Sequence, residues 1–422
     1  AERQGGQRPP MNIALVLDLP QTLGLASAQQ LRALLLALNE QRQTGDRIFI
    51  TVAGVPGATV VSASEFRHGT VVSFVASLAD GALEGDTLDL IDAFIAAADR
   101  LAADDDPSAV LGSSLIMLVT ADGIEQDAQD GLEVLAHNSA VAGMPVSVVS
   151  LAGVESSKLD TLALRGQSRL RTLATPADAA RLIDQELHSA SRTVARAVRL
   201  RIQLAAAVRL VDVIGSYRLS ERDAERVREA EQSIDQRLAR NWGLDADRGE
   251  DEDGIQIVIP GMAAGETHVV LLDVVVNGPG DVADVRVRYK DLVQMRNGVA
   301  RDSLTLVDAD STRHTQGPLE RNVQKNLLAF ETAGAVRRSG QYLAAGDRAA
   351  ARAELVQARA LIAGLRMGVA GWENDVELEA DEQRLAWFVQ QLDTGRNDML
   401  VAALQYAAYR KLLPAAQSVE LK

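Results

Sequence analysis

Met11-Asn12-Ile13-Ala14-Leu15-Val16-Leu17-Asp18 is an almost unbroken apolar run that closes on an acid, and its reading decides the fold. A strand covered by helices on both faces looks like this, because neither set of alternate side chains meets water. The chain on either side agrees. After a short loop, residues 27–42 set Leu31, Leu34, Leu35 and Leu38 at helical spacing on one face. Arg47–Ala53 (RIFITVA) is a second β-rich run, residues 88–101 have helical spacing, residues 114–120 (SLIMLVT) form a third strand and residues 145–151 (PVSVVSL) a fourth. A last helix is expected near Pro176, with Thr175 as its cap and the proline in its first turn. Alternation of this kind predicts an α/β layer with a doubly wound, mostly parallel sheet.

From Val198 the texture changes. VRLRIQL, IQIVIP, HVVLLDVVV and VADVRVRY alternate apolar and polar residues, with turns such as Asn277-Gly278-Pro279-Gly280 between them, which predicts an antiparallel β-sandwich. Within it, residues 220–240 carry Val227, Ala230, Ile234 and Leu238 at helical spacing among many charges, so the sandwich holds a helical insertion. After Pro318 strand signals give way to a helical bundle of four expected helices, about 319–345, 347–367, 372–392 and 396–413, with a stop and a new cap at Gly346-Asp347. The expected domains are residues 1–195, residues 196–316 with the insertion at 220–240, and the tail at 317–422. No 34-residue period marks the tail as a tetratricopeptide array.

Composition narrows the function. Of 422 residues, 47% are hydrophobic and 24% charged, the balance of a folding globular chain, while 3% are aromatic, leaving few rings for stacking sugars or bases. A formal charge of −15 repels phosphate backbones and anionic membranes, although residues 192–201 form a local basic stretch. Nucleic acid is therefore not an expected partner. There is no cysteine, hence no disulfide framework, thiolate nucleophile or Cys-bound zinc, and the compartment stays open. No apolar run has the length of a transmembrane helix, and the opening Ala1-Glu2-Arg3-Gln4 is neither an initiator methionine nor a signal peptide, which reads as a removed leader or a fragment.

The strand Met11–Asp18 and its following loop resemble the opening of bacterial von Willebrand factor A (VWA) domains, where such a strand runs into Asp-x-Ser-x-Ser. Thr44-Gly45-Asp46-Arg47, Gly85-Asp86-Thr87 and Leu118-Val119-Thr120-Ala121-Asp122-Gly123 agree with it in order and spacing. Val285-Arg286-Val287-Arg288-Tyr289-Lys290-Asp291 and the terminal helices resemble the sandwich and tail of one bacterial subgroup, so the likeness spans nearly the whole chain. It implies a Rossmann-like VWA sheet and, at its strand ends, a metal-ion-dependent adhesion site: a magnesium ion that accepts an acidic side chain from a partner protein. Magnesium takes six oxygens at ~2.0–2.1 Å, so hydroxyls and carboxylates from three loops, with water, leave one position for a foreign carboxylate. By that resemblance Asp18 matches the first acid, Thr22 the second hydroxyl, Thr87 the threonine of the second loop and Asp122 the acid of the third. Pro20 departs from the pattern, standing where the first serine belongs and offering no hydroxyl, and Leu23 replaces the usual methionine. Without a cation, Asp18 would cap the next turn and Thr22 would start the helix.

Other chemistry finds little footing. The acidic loop at 245–254 offers closely spaced oxygens for calcium; Asp251, Asp253 and Gly254 keep EF-hand spacing, but Gly249 falls on the first ligand position, and the simpler reading is a solvated acidic turn. His68, His137, His188, His268 and His314 are scattered, with no spacing for zinc. Ser113-Ser114 and Ser156-Ser157 lack the Gly-x-Ser-x-Gly elbow, and Asp18-Leu19-Pro20-Gln21-Thr22-Leu23-Gly24 is not a dinucleotide loop. Trp372, Trp387, Tyr406 and Tyr409 are expected in the packing between tail helices.

The leading expectation is a non-enzymatic protein-interaction module or scaffold whose adhesion site is degenerate. An accessory or adaptor subunit of an AAA+ ATPase system is a second expectation, since VWA proteins are often coupled to such machines. An α/β enzyme using the same strand-end cleft is a third.

Overall fold

The structure is a computed structural model. It describes residues 10–20, 23–54, 67–80, 88–102, 113–124, 126–151, 157–191, 193–215, 254–291, 293–294, 296–307 and 318–394, together with 225, 227, 232, 236, 400, 401, 403, 404, 407 and 408. The chain divides into two compact units. One comprises Ala1–Ala205, Arg218–Gly265 and Ala283–Leu304; the other comprises Ala206–Tyr217, Glu266–Val282 and Thr305–Lys422.

In the first unit five strands, β1 (Met11–Asp18), β2 (Arg47–Ala53), β3 (Ser113–Thr120), β4 (Val146–Leu151) and β5 (Leu170–Leu173), form one parallel sheet in the order β2-β1-β3-β4-β5. The period of two splits β1 between layers. Met11, Ile13, Leu15 and Leu17 join one core with helices α1 (Leu25–Gln41), α2 (His68–Ala79) and α6 (Ala179–Ser191). Ala14 and Val16 join the other with α3 (Leu90–Ala102), α4 (Gln126–Val141) and α5 (Ser157–Arg165). This is the doubly wound layer expected from the alternation of strands and helices.

Polar side chains fix the layer's corners. Asp46 is buried in the turn before β2, where its carboxylate accepts the Met11 amide at 2.8 Å and the Gln43 amide at 2.7 Å, tying the start of β1 to that turn. Gln30 of α1 donates to the Leu173 and Ala174 carbonyls, both at 2.9 Å, closing the end of β5. Arg171 of β5 is paired with Glu186 of α6 and also donates to Gln185. Pro176 opens a 3₁₀ turn, Pro176–Asp178, before α6. Thr175 makes no side-chain cap to the backbone; its hydroxyl instead donates to the Asp178 carboxylate at 2.7 Å. The expected cap is thus replaced by a side-chain pair.

The described strands beyond residue 192 run antiparallel and lie in two sheets. β6 (Thr193–Leu204), β8 (Ile255–Ala263), β10 (Gly280–Asp291) and β11 (Arg296–Leu306) make a four-stranded sheet in the order β11-β10-β6-β8. β7 (Val208–Ile214) pairs with β9 (Leu271–Val276) in a two-stranded ribbon. The turn at Asn277–Gly280 joins strands of different sheets, where the alternating runs alone suggested neighbours. Of the insertion at 220–240, residues Glu225, Val227, Gln232 and Gln236 are described, and all are helical.

In the second unit the tail forms α7 (Pro318–Ala344), α8 (Arg348–Gly368) and α9 (Val376–Thr394). Gly346 takes a positive φ of 85° to end α7, and the Asp347 side chain caps α8 by accepting the Ala350 amide at 2.9 Å, as the Gly-Asp pair predicts. Leu355, Ile362, Leu385, Phe388 and Trp372 fill the core between helices. Trp387 departs from expectation: it is 49% exposed, turned outward because Phe388 takes the inward position beside it. The described residues between 400 and 408 are helical, while Tyr406 and Tyr409 lie outside the described residues. Among the described residues no helix is long and apolar enough to cross a membrane.

Candidate strand-end recognition site

Parallel strands end together, so β1, β2 and β3 present their carboxyl ends on one rim. The order β2-β1-β3 makes the gap between β1 and β3 a switch point. The chain after β1 passes to α1 in one layer, and the chain after β3 passes to α4 in the other. Loops that diverge this way leave a crevice, where open α/β sheets place their ligands.

Asp18 and Thr120 are register partners across that crevice. The Thr120 hydroxyl, fully buried, donates to Asp18 Oδ2 at 2.9 Å. The Thr120 hydroxyl oxygen in turn accepts the Gly123 amide at 3.1 Å, and the Ala121 amide donates to the Asp18 carbonyl at 3.2 Å. Together these bonds fold the chain after β3 over the end of β1. Asp122, two residues beyond Thr120, is left exposed on the rim.

A second contact brings in the segment before α3. The Gly54 amide, just past β2, donates to the Leu88 carbonyl at 3.1 Å. Gly54 has φ +76°, and a β-carbon built on it would stand 2.5 Å from the Leu19 carbonyl oxygen. Glycine is therefore required, both for the left-handed backbone and for the close approach. Through it Leu88 is held to the strand-end rim that carries Leu19 and Asp18.

Of the residues expected at the site, Asp18 and Asp122 lie at the ends of adjacent strands on this rim. Thr22 and Thr87 lie outside the described residues, as does most of the acidic loop at 245–254. Pro20 is half-buried in the loop after β1. Helix α1 opens at Leu25 with Gly24 at its N-cap, so its start falls beyond Thr22, and Asp18 engages Thr120. The sequence reading passed over Thr120 and Gly54. The signal for Thr120 was a hydroxyl closing an otherwise apolar strand, and its meaning depends on knowing which residue of β1 stands opposite.

Among the described residues the donors match magnesium in kind, while Thr22 and Thr87 lie outside them. The carboxylates of Asp18 and Asp122 are hard oxygen ligands, but the Thr120 hydroxyl oxygen already accepts the Gly123 amide, and Pro20 has no side-chain oxygen to add where the adhesion pattern places a serine. Among the described residues no three His, Cys, Asp or Glu side chains are grouped to hold a metal ion.

The arrangement defines an open α/β sheet with a polar crevice at its switch point. No family model matches the sequence, and no curated protein does. Among solved structures, a von Willebrand factor type A protein from Catenulispora acidiphila is 12% identical, matching 95% of this chain and 89% of its own, with a TM-score of 0.58. The ArnB paralog VWA2 from Sulfolobus acidocaldarius is 11% identical, matching 98% of this chain and 90% of its own, with a TM-score of 0.50. At such identities the likeness is one of fold: this chain is similar in fold to VWA proteins over nearly its whole length.

Proposed function

We propose that the protein is a non-enzymatic interaction module that captures a partner protein on the strand-end rim, without dependence on a resident magnesium ion. The observation that carries this reading is the Thr120–Asp18 hydrogen bond at the switch point, with Asp122 exposed beside it. One carboxylate is tied into the scaffold and the other faces outward, a shape suited to docking and not to proton transfer. A general base would need a reacting group within reach and a hydrogen-bonded orienting partner, and the rim's described residues supply a carboxylate bonded to a threonine. The fold supports the reading too, because VWA domains commonly serve as recognition modules.

Under this reading the adhesion site is degenerate. Asp18, Thr22, Thr87 and Asp122 remain its candidate oxygen ligands, and Pro20 is the departure that weakens it. The test is a pull-down with the intact chain, repeated with the Thr22→Ala/Asp122→Ala double variant and with a chelator. Loss of the same prey in the double variant and its retention under chelation is the expected result. Prey kept by the double variant removes the rim from the reading, and prey lost on chelation restores a magnesium-dependent site.

A further inference from the structure

The four-stranded antiparallel sheet has two unlike faces. Leu200 and Ile202 of β6, Ile255 and Ile257 of β8, and Val285 and Val287 of β10 alternate onto one face. The opposite face is cationic. Arg201 stands directly across from Arg286, Arg199 across from Arg288, and Arg196 across from Lys290. Like charges in such positions repel and destabilise a sheet unless something anionic lies over them. Arg199 and Arg201 are 8% and 9% exposed, so this face is not a solvated surface. Each of these six cations has an interaction partner, Gln203 for Arg201 and Asn297 for Lys290 among them, and Asp284 sits at the end of the row opposite Gln203.

The chain's own insertion meets this face at Val227, and the lead into β8 is held against the backbone of β6 at Gly254. Val258 of β8 pairs in register with Arg199 and so shares the cationic face, and it packs against helical Val227, which is 1% exposed. Further along, Gly254 leads into β8 with φ +110°, and a β-carbon there would meet the Ile202 carbonyl oxygen at 2.7 Å. Gly254 thus lies tight against the strand, one residue from Arg201. Residues 245–253, immediately before it, carry six carboxylates against the single cation Arg248. Nine residues reach up to ~30 Å when extended, and the row from Arg201 to Arg196 needs roughly 17 Å at strand rise.

We propose that the cationic face of the four-stranded sheet is the docking surface for the acidic segment at 245–253 of the same chain. Six carboxylates meet six cations there, with Val227 and Gly254 holding the segment's surroundings in place. Docking neutralises the arginine rows, which explains how a sheet tolerates three like-charged pairs in register.

The test is limited trypsin digestion of the intact chain, following the bond after Arg248 by mass spectrometry, with a peptide spanning residues 241–256 as reference. Raising salt from about 0.1 M to about 1 M shortens the screening length from ~10 Å to ~3 Å and releases a segment held by charge. At low salt the bond is expected to be cut at least an order of magnitude more slowly in the protein than in the peptide. High salt, or the Arg286→Gln/Arg288→Gln variant, brings the rate towards the peptide's, while Arg286→Lys/Arg288→Lys keeps the protection. A low-salt rate equal to the peptide's, or protection unchanged by salt and by the glutamine pair, overturns the proposal. Should the glutamine variant lose its circular dichroism signature, the salt series on the unaltered chain decides alone.

Discussion

Thr120 donates its buried hydroxyl to Asp18 across the ends of β3 and β1 at 2.9 Å, and this bond converts two strand ends into one rim. Its acceptor is a carboxylate, so it belongs to the stronger class of hydrogen bonds, and Thr120 has no exposure through which water could replace it. Replacing Thr120 with the isosteric valine leaves packing nearly unchanged and removes the hydroxyl that donates to Asp18 and accepts the Gly123 amide. The expected loss is about 1.5–3 kcal/mol in urea unfolding at neutral pH, with Thr120→Ser recovering much of it.

Gly54 holds the other side of the rim. A methyl group there meets a backbone carbonyl that cannot rotate away, and the positive φ adds strain of its own. Gly54→Ala is expected to destabilise by about 1–3 kcal/mol and to shift the loop carrying Leu19 and Pro20. Thermal melting reads the first effect. The second appears as weaker capture of any partner that Asp122→Ala also weakens, and an unchanged melting temperature would contradict the close approach.

How much of this was legible in the sequence depends on the kind of signal. β1 to β4 declared themselves because buried parallel strands are continuous apolar runs, and Asp18 because it ends one; Asp122 was reached only through the VWA resemblance. α2 did not: HGTVVSFVASLA has β-branched residues, two serines and a glycine, a poor helix by propensity, and it is helical because Val71, Val75 and Leu78 pack on the sheet. β5 was missed because LRTL is four residues long and carries an arginine whose partner, Glu186, lies on a later helix. Gly54 and Thr120 act through residues distant in sequence, and no local pattern encodes such a pairing. Alternation revealed β6, β8, β9 and β10 but not β7 or β11, and not which strands pair, since turn residues join both hairpins and crossings between sheets.

In the helical unit, Lys325 of α7 meets Asp375, just before α9, at 2.5 Å. Burial opposes ionisation of Asp375, but the Lys325 ammonium and the Leu378 and Glu377 amides outweigh it and hold the carboxyl below its ordinary 3.8. A depressed acid contributes stability that is present above its unfolded value and is lost as pH falls through the folded one. The hydrogen bond with Asp375 raises Lys325 above 10.5, so its share is present below that value and is lost as pH rises through the higher folded value. Asp375→Asn is therefore expected to lower stability across neutral pH, with the gap to the unaltered protein closing below pH 3.8 and again on the alkaline side. A gap independent of pH in denaturant titrations would rule the pair out.

Asp122 separates recognition from stability. Its side chain is exposed, while the backbone around it is fixed by bonds from Thr120, Ala121 and Gly123 that do not use its carboxylate. Removing an exposed side chain away from caps and cores changes stability by less than about 0.5 kcal/mol, so Asp122→Ala should melt with the unaltered protein. Charge on the rim is different, because a partner docked there desolvates it and must match it. Asp122→Ala is expected to weaken partner binding by an amount that Asp122→Asn largely reproduces, since both remove the charge and the second keeps the shape. Thr120→Val, by contrast, should reduce stability and binding together. Surface-immobilised protein and a purified partner give the comparison directly. Equal affinity for the unaltered chain and Asp122→Asn would mean that the partner does not read this carboxylate, and the recognition face would have to be sought away from the rim.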